Sequence, residues 1–242
     1  MRKHIAPAEP IGDGALRDPA SHVRLWVTAA LGLAVDLATK EWAFATLRQT
    51  ERRVIVPHVL EFQTTLNPGA LFGIGAGHTE VFLIASVIAL GLVVWMFAQT
   101  PRQRWFMHIA LGAILAGALG NMYDRVTVRV VHYPGTGRFY ERQLGEDGQI
   151  VILREYPASP ESDVRTLPRW AADELGPADG HVRDFIKIPT RWFGGRDVWP
   201  WVFNVADMLL VGGVGVLAVR MLRERPTHAA PAGSRGAPGD HA

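Results

Sequence analysis

The chain has 242 residues, 48% of them hydrophobic, with 25 Lys and Arg against 23 Asp and Glu and a formal net charge of +2. A balance this close to neutral is too small to suggest nucleic acid as a partner, because a polyanion is held by a strong positive field. There is no cysteine, which excludes disulfides, thiolate metal sites and a cysteine nucleophile.

The length fits one or two soluble domains or one small polytopic membrane protein. Residues 1–22 mix Pro, Gly and both charge signs and lack the apolar core of a secretory signal, so they are predicted to be a disordered tail. Leu25 to Val35 is apolar, then Asp36 and Lys40 interrupt it before "EWAFATL". Those two residues are four apart and share a helix face, so they can pair. Acids and bases inside a bilayer face the protein interior and mark function. The alternative is a surface ion pair at the outer end of the helix.

Residues 45–80 form the first outer loop. Within it "VIVPHVLEFQTTLNPGALFGIG" alternates like short strands and turns at Asn67-Pro68-Gly69. Val81 to Ala98 follows, eighteen residues without a charge. Trp105 to Tyr123 gives nineteen more, with His108 and Asn121 as its notable polar groups. Each approaches the ~20 residues needed to cross ~30 Å of hydrocarbon. The linker "QTPRQR" between them carries Arg102 and Arg104, which places that turn on the cytoplasmic side. His108 is read as structural. Asn121, Asp124 and Arg125 close this span; either they form a polar site or they are simple helix-end polarity, with Arg125 reaching toward headgroups.

Residues 125–198 form the second outer loop, and "RFYERQLGEDGQIVILREY" in it predicts a β-hairpin around Gly145-Glu146-Asp147-Gly148. Asp184 lies in "HVRDFIKI", where it is either a loop or strand acid or part of a site. Trp192, Trp199 and Trp201 fit an outer interfacial belt. The last span runs from about Val202 to Leu222. Asn204 and Asp207 stand at its mouth, and twelve uncharged residues follow to Val219. Asp207 there either serves a site or merely suits a helix N-terminus, an effect of roughly 0.3–1 kcal/mol. Residues 226–242 are a second predicted tail.

Both tails and the central turn are basic, which predicts four spans with both termini inside; Arg48, Arg52 and Arg53, in an outer loop, run against this rule. Neither HExxH nor G-x-S-x-G occurs. Carboxylates are the remaining candidates for chemistry, and the topology gathers them near the outer face.

Four blocks, in this order, resemble the lipoprotein signal peptidase (signal peptidase II) family: "DLATK" (36–40), "NPGALFGI" (67–74), "GALGNMYDR" (117–125), and "VRDFI" with "FNVAD" (182–186 and 203–207). The resemblance implies a mainly α membrane protein, a four-transmembrane-helix bundle over residues 23–225 with a small β-rich periplasmic portion, in the bacterial inner membrane. It implies an aspartyl endopeptidase that removes signal peptides from prolipoproteins carrying a diacylglyceryl group, with membrane lipid as surroundings and without metal or cofactor. Asp184 and Asp207 match the family's catalytic aspartates. Asp36, Lys40, Asn67, Gly69, Asn121, Asp124, Arg125 and Asn204 match positions that support the site or touch substrate, and Asp124 is the first alternative for a catalytic role. The chain departs from the pattern by an insert over about 132–181 and by a longer spacing from Asp184 to Asp207. Two readings from other classes are a small transporter or proton pathway, which would spread charges through the membrane depth, and a non-catalytic membrane scaffold that uses the insert to bind.

Overall fold

The computed structural model describes residues 14–48, 51–69, 79–189, 191–192, 196–197 and 199–223. The first long helix, α1 (Pro19–Thr46), opens inside the segment read as a tail. The local chemistry explains this. Asp18 accepts from the Ser21 backbone N–H at 2.9 Å and from its hydroxyl at 2.6 Å, and Pro19 sits at the first helical position. The predicted 226–242 tail lies outside the described residues, as do residues 70–74 of the "NPGALFGI" block and the four that follow it.

Strands β1 (Arg52–Val56) and β2 (Leu60–Asn67) form an antiparallel hairpin. Helices α2 (Thr79–Gln99) and α3 (Trp105–Thr127) follow as the expected pair. Then come β3 (Arg129–Tyr133), β4 (Arg138–Leu144), β5 (Ile150–Glu155), β6 (Val164–Pro168), the short α4 (Arg169–Asp173) and β7 (Asp179–Gly180). The chain continues with β8 (Val182–Lys187), β9 (Arg191–Trp192), β10 (Arg196–Asp197) and β11 (Val202–Phe203), and ends with α5 (Val205–Arg223).

Helices α2, α3 and α5 are each long and apolar enough to cross a membrane, over Glu80–Gln99, Trp105–Thr127 and Val205–Arg223. The 28-residue α1 has the length but carries Asp36, Lys40 and Glu41 within it. α3 is the central helix and packs against α1, α2 and α5. Small residues let the helices approach closely. A Cβ on Gly117 would lie 2.4 Å from the Ala206 carbonyl of α5, and one on Gly120 would lie 2.3 Å from Asp36 Oδ2 of α1. α2 instead presents Ile84, Val87, Ile88 and Trp95 outward, the mark of a face bathed in apolar solvent. His108 is buried and meets Phe97 edge-on at 5.4 Å, in keeping with its structural reading.

Two main sheets lie beyond the helices. The four-stranded sheet has the order β1-β2-β8-β11, with β8 held between antiparallel neighbours. It packs over the ends of the bundle: Phe62, Leu66 and Phe185 share a cluster with Ala43 and Phe44 of α1, Val128 after α3 and Val205 of α5. The five-stranded sheet, order β6-β5-β4-β3-β7, covers the stretch read from the sequence as an insert and begins a little before it, at Arg129. Its hairpin pairs Leu144 with Val151 and Tyr140 with Glu155, as the sequence indicated. The sheet has its own core of Val131, Tyr140, Val151, Leu153 and Ala172. Its two ends meet: Arg129 pairs with Gly180, and the His181 N–H donates to the Val128 carbonyl at 3.0 Å.

Candidate active site

Every matched site residue among the described ones converges where α1, α3, β2, β8 and α5 meet. Asp36, Lys40, Asp124 and Asn204 are 0% exposed and Asp184 is 1% exposed, although each would be strongly hydrated if free. The burial is compensated by pairing. Lys40 Nζ lies 2.8 Å from Asp36 Oδ2 and 3.2 Å from Asp124 Oδ2, and it donates to Asn121 Oδ1 at 3.2 Å. The other Asp36 oxygen accepts the Ala206 backbone N–H at 2.8 Å, a free donor in the first turn of α5. The surface reading of the Asp36–Lys40 pair therefore fails; it ties α1 to α3 and α5.

Asn204 is the N-cap of α5. Its Oδ1 accepts the Asp207 backbone N–H at 2.9 Å, and its own N–H donates back to Asp207 Oδ2 at 3.4 Å, a reciprocal cap. Its amide Nδ2 donates to Asp184 Oδ1 at 2.6 Å and to Asn121 Oδ1 at 3.2 Å. Asn67 Nδ2 holds the other Asp184 oxygen at 3.0 Å, and Asn121 Nδ2 donates to Asp207 Oδ1 at 2.8 Å. Each of the two carboxylates is thus aimed by amide donors, and one side chain, Asn204, touches both residues. Burial, and after it the charge of Asp207, push the Asp184 carboxyl well above the ordinary carboxylate range.

Arg125 does not reach outward as helix-end polarity would have it. Its guanidinium donates to the Gly69 carbonyl at 2.8 Å and to the Asn121 carbonyl at 3.2 Å, and it lies 5.1 Å over the Phe82 ring. The Gly69 N–H in turn donates to Asn67 Oδ1 at 2.9 Å, so the bend after β2 is fixed to the site. Asp124 has both oxygens engaged, by Lys40 and by Arg183.

Two residues in this network were not singled out from the sequence. Arg183 donates through Nε and Nη2 to Asp124 Oδ1 at 3.0 and 2.8 Å, and through Nη1 to Glu41 at 2.9 Å. A guanidinium set among Val182, Phe185, Ile186 and Ile188 of "HVRDFIKI" needs a counter-ion once those apolar residues are buried, and that is the signal that could have found it.

Two cavities flank the pair. One of about 230 Å³ is lined by Asn121 and Asp207 together with Phe82, Ala85, Ala89, Ala118 and Leu210, between α2, α3 and α5. The other, of about 510 Å³, is lined by Asp184, Thr65, Lys187 and Trp201 along the four-stranded sheet. Asn67 borders both.

Helices of membrane-crossing length, with the buried Asp184 and the half-buried Asp207 clamped by amides at one end, describe a protein of the membrane with a candidate carboxylate site. Two solved structures, both titled as a bacterial membrane enzyme determined by the in meso method, at 2.3 and 1.9 Å, share this fold. The first aligns with a TM-score of 0.57 at 23% identity, covering 86% of this chain and 93% of its own. The second has a TM-score of 0.52 at 24% identity, covering 82% and 92%. The family model described as Signal peptidase (SPase) II matches residues 28–223, and the chain belongs to that family of peptidases. Among its relatives, the lipoprotein signal peptidase of Clostridium novyi is 35% identical over 194 residues, 80% of this chain and 93% of the relative. That of Mycobacterium avium is 30% identical over 216 residues, 88% and 87%.

Proposed function

We propose that the chain is an aspartyl endopeptidase that cleaves signal peptides from diacylglyceryl-modified prolipoproteins, with Asp184 and Asp207 as its catalytic pair. The observation that carries this is the joint clamping of the two carboxylates: Asn204 binds Asp184 by its side chain and caps Asp207 by the same amide group. α1 joins the three apolar helices as a fourth span. Both termini are cytoplasmic, the membrane is the bacterial inner membrane, and the site and both sheets lie toward the periplasm.

Two neighbouring carboxyls shielded from bulk water hold a single proton between them, and Asp184, the more buried, is where it resides. The charged partner takes a proton from water as its oxygen attacks the scissile carbonyl. The protonated carboxyl donates to the developing oxyanion. When the tetrahedral intermediate collapses, the C–N bond breaks and the leaving amine, that of the lipid-bearing cysteine, carries away a proton. Asn67, Asn121 and Asn204 keep the oxygens in place throughout, so little reorganisation is needed. The apolar cavity beside Asp207 takes the hydrophobic segment of the signal peptide, and the groove along the sheet takes the chain beyond the cleaved bond.

The test is cleavage of a diacylglyceryl-modified precursor, followed on a gel against the unmodified precursor. D184N and D207N are each expected to lower the rate by about 1,000-fold or more. Wild-type turnover in either variant removes that residue from the pair, and equal cleavage of the unmodified precursor removes the lipid from the specificity. A proton pathway fits less well: among the described residues, the buried charged side chains of the helices sit together beneath β8 rather than along a path through the bundle.

A further inference from the structure

We propose that Arg183 is a positioning residue for the Asp184–Asp207 pair, supplying through Asp124 the positive charge that lets the pair work with one shared proton. This rests on the reading of those two aspartates as catalytic.

Successive strand residues point to opposite faces. On β8, Asp184 faces Asn67 and Asn204, while Arg183 faces α1 and α3 and is itself only 5% exposed. Its backbone N–H donates to Asp124 Oδ2 at 3.0 Å, and its side chain grips Oδ1 of the same carboxylate twice. The strand that carries Asp184 is therefore locked to α3 one residue away. On the far side, Asp124 also meets Lys40, Lys40 donates to Asn121, and Asn121 donates to Asp207. One residue thus reaches Asp184 through the backbone and Asp207 through three side chains.

The charges make the same point. The groups facing this core are Asp36, Lys40 and the largely exposed Glu41 on α1, Asp124 and Arg125 on α3, Arg183 and Asp184 on β8, and Asp207 on α5. Tyr156, near Arg183, is pushed up to about 12 by burial and stays neutral. Leaving out exposed Glu41, and the buried Lys187, which stands opposite the buried Glu61 of β2 and donates to the Trp199 carbonyl, four carboxyls (Asp36, Asp124, Asp184, Asp207) oppose three cations (Lys40, Arg125, Arg183). The cluster is neutral when the catalytic pair holds one proton, the state the chemistry requires. Without Arg183, neutrality calls for a second proton on the pair, and no carboxylate is left to activate water.

The experiment measures kcat and KM against pH for the detergent-solubilised full chain with the modified precursor. R183Q is expected to lower kcat by about 10- to 100-fold with KM held within about twofold, and to move the acid limb of the profile up by about one pH unit. D124N is expected to move that limb the opposite way, and D124N/R183Q to return it to the wild-type position, because both members of one ion pair are gone. R183K keeps the charge and is expected to leave the limb in place. An R183Q profile at the wild-type pH, or a double variant displaced from it, overturns the proposal. If R183Q does not fold, an unmoved D124N or a displaced double variant does the same. D184N and D207N run in parallel: activity in these defeats the catalytic reading, whereas inactive D184N and D207N beside an unshifted R183Q defeats this inference alone.

Discussion

Asn204 accepts from the Asp207 backbone and donates to Asp184 and Asn121 with a single amide. Cap and clamp can be separated. Serine is as good an N-cap as asparagine, but its shorter side chain has one polar atom, which the cap occupies, and no amide nitrogen to extend to Asp184, so N204S is expected to melt near the wild type while losing kcat. N204A loses both, with about 1 kcal/mol of stability gone; thermal melting beside a turnover assay checks the pair. Asp184 gives a pH prediction. Its carboxyl pKa is higher folded than unfolded, so it favours the fold below the ordinary carboxylate range, and that contribution is lost as pH rises through the folded value. D184N should therefore melt about 3 °C above the wild type at pH 8, a gap that narrows as the pH falls and closes at about pH 3, below the ordinary carboxylate range, measured in detergent. At this scale the site was partly legible. Asp36, Lys40, Asn121, Asp124, Asn204 and Asp207 stand out because a charge or amide in an apolar run needs a partner. Which partner was not legible: Arg183 and Asp124 are 59 residues apart, and only the sheet brings them together.

At the scale of elements, the apolar runs marked α2 and α3 well, since length and lack of charge settle a span without knowledge of its neighbours. The start of α1 was hidden because Asp18-Pro19 has the composition of a loop, although it is also a helix cap. The glycines of α3 were equally mute. Their role depends on what passes opposite, here Ala206 and Asp36. G120A drives a methyl group into Asp36 Oδ2 and pushes α1 away from α3. It is expected to cost about 1–3 kcal/mol and to lower kcat, because Lys40 moves with Asp36. G91A, on α2 with open space around it, serves as the control and should melt like the wild type.

At the scale of the molecule, a five-stranded sheet with a separate core stands beside the four-stranded one. Tyr140 is fully buried at its centre and donates to Asp163 at 2.8 Å. Y140A is expected to cost about 3–5 kcal/mol within this sheet and to make residues 134–178 sensitive to protease. The helices should stay protected, because their contacts lie elsewhere. Clipping by limited proteolysis and mass mapping of the fragments checks this; cuts spread through α1 and α3 would mean that the two parts unfold as one. Sequence alternation revealed the β4–β5 hairpin but not the closure of the sheet, since β7 is only two residues long and its pairing with β3 spans the whole insert.

That closure has a further consequence. Because the chain departs at Val128 and returns at His181 across one backbone hydrogen bond, the excursion between them leaves no net displacement for the strand that follows. Evolution could lengthen, trim or exchange everything hung on this doorway while β8 still arrived in register, and a protein engineer could graft a reporter domain with adjoining termini at the same place.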